Sequence, residues 1–457
     1  MKEQYVDTNL TEESVEEIRT LFTERRYTEL KKHLNEMNEA DIAALFEEMA
    51  EEEIPIMFRL LAKEEAAEVF ARMEHEQQLI LIKALTDKEL GLVIDDLFLD
   101  DTVDIIEEMP ANVVKRILAN SDPQTRRQIN ELLKYPDDSA GSIMTVEYVN
   151  IKPDMTVAEA IERIRKKAPD SETIYTCYVT ENRTLVGVCT IKDLLLAPDD
   201  ELIRDMMESN VITVNTLDDK EDVAKMFNKY DFLALPVVDT ENRLVGIVTV
   251  DDAIDVLQDE NTEDITKMAA IYDASDTYFK TSIFKHAKNR IVWLLVLMLS
   301  STITGIIITK YENAFAVVPL LVSFIPMLMD TGGNCGSQAS TLIIRGIALD
   351  EIVFKDIFKV IFKEFGVSII VGVILSIVNG LRIYLFYHDL SIAIVVAMSL
   401  ICTIMLAKFI GGVLPLIAKK LHLDPALMAA PLITTVVDTC SILVYFRIAT
   451  VFFHISV

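Results

Sequence analysis

Five apolar runs of spanning length fill the end of the chain, at about 291–309, 314–340, 362–387, 391–417 and 427–453. About 20 consecutive apolar residues match the thickness of a bilayer core, so these runs predict five membrane helices. Their loops set the expected orientation. The 345–363 loop holds Arg345, Lys355, Lys359 and Lys363, and the 418–424 loop holds Lys419, Lys420 and His422. Both fall on the side of Lys285, Lys288 and Arg290, whereas the 309–313 and 386–390 loops are poor in bases. The excess of Lys and Arg on one side places the N-terminal part in the cytoplasm and the C-terminus outside, in a plasma membrane.

Two runs carry groups that lipid does not tolerate. The second contains "PMLMDTGGNCGSQASTLIIRG", and the fifth contains "APLITTVVDTCS" with Asp438 at its middle. A charged side chain at that depth costs about 2.5–3.5 kcal/mol on the insertion scale. Such residues face a bundle interior or a pore, and Gly, Ser and Thr at this density mark helices that approach closely. The two D-T triplets, "MDTGG" and "VDTC", imitate an aspartic-protease dyad. They lie in helical runs without β-rich lobes, which argues against proteolysis and against an enzyme.

The rest of the chain is a polyanion. Of 72 acids and 43 bases, 63 acids and 32 bases precede residue 289. A surface of that sign repels nucleic acid and attracts cations. The five cysteines show no CxxC and no histidine at metal-ligand spacing, which fits a reducing compartment without thiolate zinc. The acidic start "MKEQYVDTNLTEESVEE" reads as no signal peptide.

Within residues 1–135 a large apolar residue recurs every 12 positions, at Met37, Met49, Leu61, Met73, Leu85, Leu97 and Met109. This period predicts stacked short helices, a small all-α superhelix. Its "IDDLFLDD" stretch brings Asp95, Asp96, Asp100 and Asp101 together. Residues 136–200 and 201–260 repeat a β-α-β-β-α order, with "LVGVCTIKDLLLA" and "LVGIVTVDDAIDV" 59 positions apart. Each copy has an ENR turn. They resemble a tandem pair of CBS modules through Gly187, Thr190, Asp193 and Gly246, Thr249, Asp252. That resemblance implies an adenosine nucleotide such as ATP as a possible ligand, with Thr190 on phosphate, Asp193 on ribose, and Tyr175, Phe232 and Pro236 as walls for the base. Residues 261–288 predict a long connecting helix, and 289–457 the membrane domain.

The whole layout resembles the MgtE family of magnesium channels. "TGGNCGSQASTLIIR", "LITTVVD" and "VDDAIDVLQDENTEDI" carry the likeness, in order. The resemblance implies a multi-domain fold: a superhelical N-domain, an α/β CBS pair, a plug helix and a five-helix membrane domain, working as a homodimer. It implies that Asp438 selects hydrated Mg²⁺ in the pore, helped by Asn334 and Thr434. Mg²⁺ sheds its water reluctantly, so a carboxylate that holds it through water suits a channel. It further implies cytoplasmic Mg²⁺ sensing by Asp96, Asp100, Asp219, Glu221, Asp231, Asp252, Asp255, Glu260, Glu263 and Asp264. Clustered carboxylates repel until cations bridge them. Asp330 departs from the family pattern as an extra charge. Lys192 before Asp193 makes the first module the better nucleotide site, and Asp251 makes Asp252 the better metal ligand. The remaining alternatives are a less selective channel for Co²⁺, Mn²⁺ or Ni²⁺ and a non-conducting receptor for Mg²⁺ or nucleotide.

Overall fold

The structure is a computed structural model and describes residues 11–272, 278, 281–311, 317–428 and 430–455. It forms two compact units, Met1–Leu257 and Gln258–Val457.

Among its described residues, the first unit begins with ten short helices. They are α1 (Glu12–Thr23), α2 (Tyr27–Leu34), α3 (Glu39–Glu47), α4 (Ile54–Phe58) and α5 (Lys63–Ala71). Then come α6 (His75–Ala84), α7 (Asp87–Ile94), α8 (Leu99–Glu108), α9 (Ala111–Asn120) and α10 (Pro123–Leu132). The 12-residue period is one helix plus one turn. Each repeated apolar residue from Met49 to Met109 closes a turn and is buried, and Met37 is partly so. Burying each contributes about 1.5–3 kcal/mol. Local chemistry sets the starts. Thr86 caps α7 by accepting from the Glu89 amide at 3.3 Å, while Glu89 accepts from the Thr86 amide at 2.8 Å. Helices pack on their second neighbours, α3 on α5, α5 on α7, α7 on α9, and α4 on α6. Between α3 and α10 the odd helices thus stack mainly on one another, while α1 packs on α2 and α5 also touches α8.

Two three-stranded sheets follow. In the first, β1 (Tyr148–Ile151) runs parallel to β2 (Thr173–Glu181), which pairs antiparallel with β3 (Thr184–Thr190). Helix α11 (Val157–Lys167) links β1 to β2, and α12 (Ile191–Leu196) and α13 (Ile203–Met206) follow β3. The second repeats the pattern with β4 (Val214–Asn215), α14 (Lys220–Tyr230), β5 (Ala234–Val238), β6 (Leu244–Thr249) and α15 (Val250–Met268). The expected turn at Asn182–Arg183 has φ of 50° and 72°, the left-handed pair of a tight hairpin. The two hairpins bond to each other, Leu185 N–H to Asn242 O at 3.2 Å and Leu244 N–H to Arg183 O at 3.0 Å.

The connector differs from expectation. Helix α15 starts inside the second repeat, at Val250, and stops at Met268 instead of running to residue 288. Ala270 adopts φ 56°, and the Ile271 amide reaches back to Thr266 O at 2.9 Å, a left-handed cap that ends the helix. Residues 273–277 and 279–280 lie outside the described residues. A new helix, α16 (Ile283–Lys310), begins at Ser282, whose hydroxyl accepts from the Lys285 amide at 3.2 Å.

The second unit holds α16 and four further long helices: α17 (Ile325–Ala348), α18 (Ile357–Tyr387), α19 (Leu390–Lys420) and α20 (Ala430–Phe452). Among the described residues, four stretches, Ile283–Lys310, Phe354–Tyr387, Leu390–Lys420 and Pro425–Phe452, are long and apolar enough to cross a membrane. Helix α17 has 24 residues, but its polar run keeps it out of that group. It also begins later than the expected 314, because Pro319 opens a 3₁₀ turn over Pro319–Phe324 and Pro326 sits in the first turn of α17.

Candidate cation sites

The residues before parallel partners in a sheet are themselves neighbours. Tyr148 and Thr173 are in register on β1 and β2, so Glu147 and Glu172 lie side by side, joined by the Glu172 amide on Glu147 O at 2.8 Å. Glu147 also accepts from the Leu99 amide at 2.9 Å, at the start of α8. The favourable end of the α8 dipole thus meets a carboxylate. That contact brings Asp100 and Asp101 of α8 to the same place, and the first turn of α15 adds Asp251 and Asp252.

The charges in this junction are poorly compensated. Asp100 is 6% exposed, and burial, then the Asp252, Asp101 and Glu172 charges, holds its carboxyl well above the usual range. Burial, then the Asp101, Asp251 and Asp252 charges, pushes Glu172 up to about 8. Burial raises Asp252 to about 7 against the Thr249 hydroxyl, which donates to it at 2.6 Å. Asp101 rises to about 6 through burial and Glu68, with Arg72 opposing. Glu172 Oε2 is buried without a hydrogen-bond partner. Buried like charges of this kind either take up protons or recruit a cation. Among the described residues, no three His, Cys, Asp or Glu side chains stand close enough to ligate one ion directly.

The junction contains the sequence-predicted Asp100 and Asp252 together with Glu147 and Glu172, which the sequence reading did not name. Asp255, whose charge also reaches Asp101, borders the junction, and the other predicted acids lie elsewhere. Asp96 pairs with Lys63 at 2.7 Å. Asp219 caps α14 by accepting from the Glu221 amide at 2.9 Å, Glu221 pairs with Lys225 at 2.8 Å, and Asp231 ends the helix at φ 54°. Asp255 lies one turn past Asp251 on α15. Glu260, Glu263 and Asp264 continue along that helix into the second unit, where Lys267 bridges Glu263 at 2.6 Å and Asp424 at 2.7 Å.

At the expected nucleotide site, Thr176 of β2 pairs with Thr190, so Tyr175, which is 62% exposed, stands at the end of the sheet that carries Thr190 and Asp193. Thr190 and Asp193 bond reciprocally as the cap of α12, the Asp193 amide donating to the Thr190 hydroxyl at 3.1 Å. Pro236 is buried in β5, and Phe232 stacks on Tyr230 at 5.4 Å between ring centroids.

In the membrane domain, glycines let three helices meet. A Cβ at Gly332 would stand 2.8 Å from Thr403 and 3.0 Å from Val437, and one at Gly411 would strike the Gly336 carbonyl oxygen. Helix α17 therefore packs on α19 and α20 through Gly332, Cys335, Gly336 and Ala339. Its opposite face leaves Asp330, Asn334, Gln338 and Thr341 exposed, a polar stripe spaced by 4, 4 and 3 positions. Asp438, half-buried on α20, feels the Asp330 charge, and Thr434 donates to Pro431 O at 3.0 Å. An exposed polar stripe cannot face lipid, so it borders water or another chain.

Known proteins match this arrangement along its length. A family model described as a divalent cation transporter matches residues 325–448, and the MgtE intracellular N domain matches 37–138. CBS domains match 140–200 and 203–259. The magnesium transporter MgtE of Bacillus subtilis (strain 168) is 37% identical over 84% of this chain and 84% of its own. This chain belongs to the MgtE family. Another MgtE relative, from Thermus thermophilus, is 38% identical over 77% of this chain and 79% of its own. A crystal structure of the cytosolic domain of the Mg²⁺ channel MgtE in complex with ATP aligns with a TM-score of 0.51 at 38% identity. It covers 53% of this chain and 99% of that one. In this MgtE-family chain the matched domains cover the helical repeat, the paired modules and the helical membrane domain together.

Proposed function

We propose that this protein carries Mg²⁺ across the plasma membrane along the polar face of α17, past Asp438, with Asn334 and Thr434 lining the path. The observation that carries this reading is a half-buried carboxylate within an apolar helix, electrostatically coupled to Asp330 of the polar stripe. Relatives of matching length named as magnesium transporters supply the cargo. A homodimer would turn two exposed stripes into one closed path and place two Asp438 carboxylates around a hydrated ion. The reading is transport, not catalysis. The test is Mg²⁺ entry into liposomes holding the purified chain. Asp438→Ala is expected to reduce entry to that of empty liposomes, and entry that survives the substitution overturns the path.

The regulatory half of the proposal rests on the acidic junction. Cytoplasmic Mg²⁺ bound among Asp100, Asp101, Glu147, Glu172, Asp251 and Asp252 would favour the compact arrangement, and its loss would let the carboxylates repel. An equilibrium responds only to the difference in affinity between its two states, so the closed state must bind Mg²⁺ more tightly. An adenosine nucleotide beside exposed Tyr175, held by Thr190 and Asp193, is the proposed second ligand. A titration of the full chain with ATP, with Asp193→Ala alongside, checks it.

A further inference from the structure

A second pair of charges lies inside the membrane domain, away from the polar stripe. Lys408 of α19 is 5% exposed, and its ammonium stands 3.6 Å from the Glu364 carboxylate of α18. Glu364 follows the basic loop at the start of its apolar run, and Lys408 lies twelve residues before the end of its own helix. Glu364 Oε2 is buried without a hydrogen-bond partner, and its side chain packs where a Cβ at Gly412 would meet it at 3.3 Å. A pair this poorly bonded and this buried is weak evidence for stability, because methionine or leucine would fill the space at less desolvation cost.

Its position is more informative. Lys408 follows Ala407, whose carbonyl lies 3.4 Å from where a Cβ on Gly336 would stand, and its charge reaches Cys335. Cys335 and Gly336 belong to the buried face of α17, and Asn334 and Gln338 to the exposed one. Lys408 therefore sits directly behind the polar stripe, across one helix about 10 Å wide. At that range in a medium without mobile ions, an unpaired charge acts strongly on a divalent ion.

We propose that the Lys408–Glu364 pair is a positioning element of the cation path. It lets Lys408 pack behind α17 while cancelling the positive potential that its ammonium would impose on the stripe. The inference rests on the transport reading, and its signature is one of sign. Glu364→Gln leaves a lone ammonium and is expected to raise the half-saturating Mg²⁺ concentration about tenfold. Lys408→Met leaves a lone carboxylate and is expected to lower it. The double variant E364Q/K408M and the exchanged pair E364K/K408E are expected to return to within about threefold of the unaltered chain.

The experiment is Mg²⁺ entry into liposomes as a function of external Mg²⁺, for the full chain and these variants. Opposite shifts in half-saturation with recovery in the double variant support the inference. Shifts in the same direction, or a fall in maximal rate alone, reveal a purely structural pair and overturn it. Where a single variant fails to fold, the exchanged pair decides: a folded E364K/K408E protein with altered half-saturation also overturns it. Absence of entry from the unaltered chain instead removes the transport reading, and this inference with it.

Discussion

Taking a carboxylate out of the acidic junction should make the cation-free protein more stable. Asp100 is buried among like charges, so Asp100→Asn is expected to raise the melting temperature of the chain in chelator by roughly 3 °C, and to make it respond less to added Mg²⁺. The pH dependence has a definite sign. Asp101, Asp252 and Glu172 titrate at about 6, 7 and 8, above ordinary carboxylates, so the folded state holds protons that the unfolded chain releases. Their contribution is full below the unfolded values near 4 and is lost as pH rises through 6 to 8. In chelator, the melting temperature should therefore fall between pH 5 and 8, and millimolar Mg²⁺ should flatten the curve. A melting temperature that climbs over that interval would count against the junction. Sequence made half of this site legible. Asp100 and Asp252 stand in acid-rich runs that draw notice. Glu147 and Glu172 stand alone in ordinary loops and become neighbours only through the register of β1 and β2. Reading the residues just ahead of two parallel strands as adjacent would have found them.

At the scale of elements, the crossing of α17 and α19 is the most exposed to test. A Cβ on Gly411 would strike the Gly336 carbonyl, and backbone cannot step aside as a flexible side chain can. Gly411→Val is expected to cost at least about 1–3 kcal/mol and to lower both the yield of monodisperse protein and Mg²⁺ entry. Gly305, with open space around it, should accept alanine with little change in either measurement. The helical repeat and the twin sheets were readable because their signals are local: a 12-residue period, an ENR turn, a recurring G-x-x-T-x-x-D. The connector was less readable. Nothing in "NTEDITKMAAIYD" forbids a helix from continuing, yet Ala270 takes the left-handed cap that glycine usually fills. The start of α17 was missed for a related reason. Hydropathy runs smoothly through Pro319–Phe324, whereas the backbone forms a 3₁₀ turn there.

For the molecule as a whole, charge is the governing quantity. With 63 acids against 32 bases before residue 289, that part of the chain repels itself at neutral pH. Divalent cations should relieve this more effectively than monovalent salt of the same ionic strength, since they bridge carboxylates as well as screen them. Limited proteolysis of the full chain should slow in Mg²⁺ and stay fast in matched NaCl; equal protection by both would reduce the effect to simple screening. The alternating packing of the N-terminal helices bears on a different question, how such a chain can change length. Since α3, α5, α7 and α9 pack in series, and α4 packs on α6 and α8 on α10, the interchangeable unit is two helices, 24 residues. Excising 24 residues would leave every later helix in its own series, whereas excising 12 would move each one to the other series, with its apolar stripe turned outward. Length variation in this segment, natural or engineered, should therefore come in steps of 24.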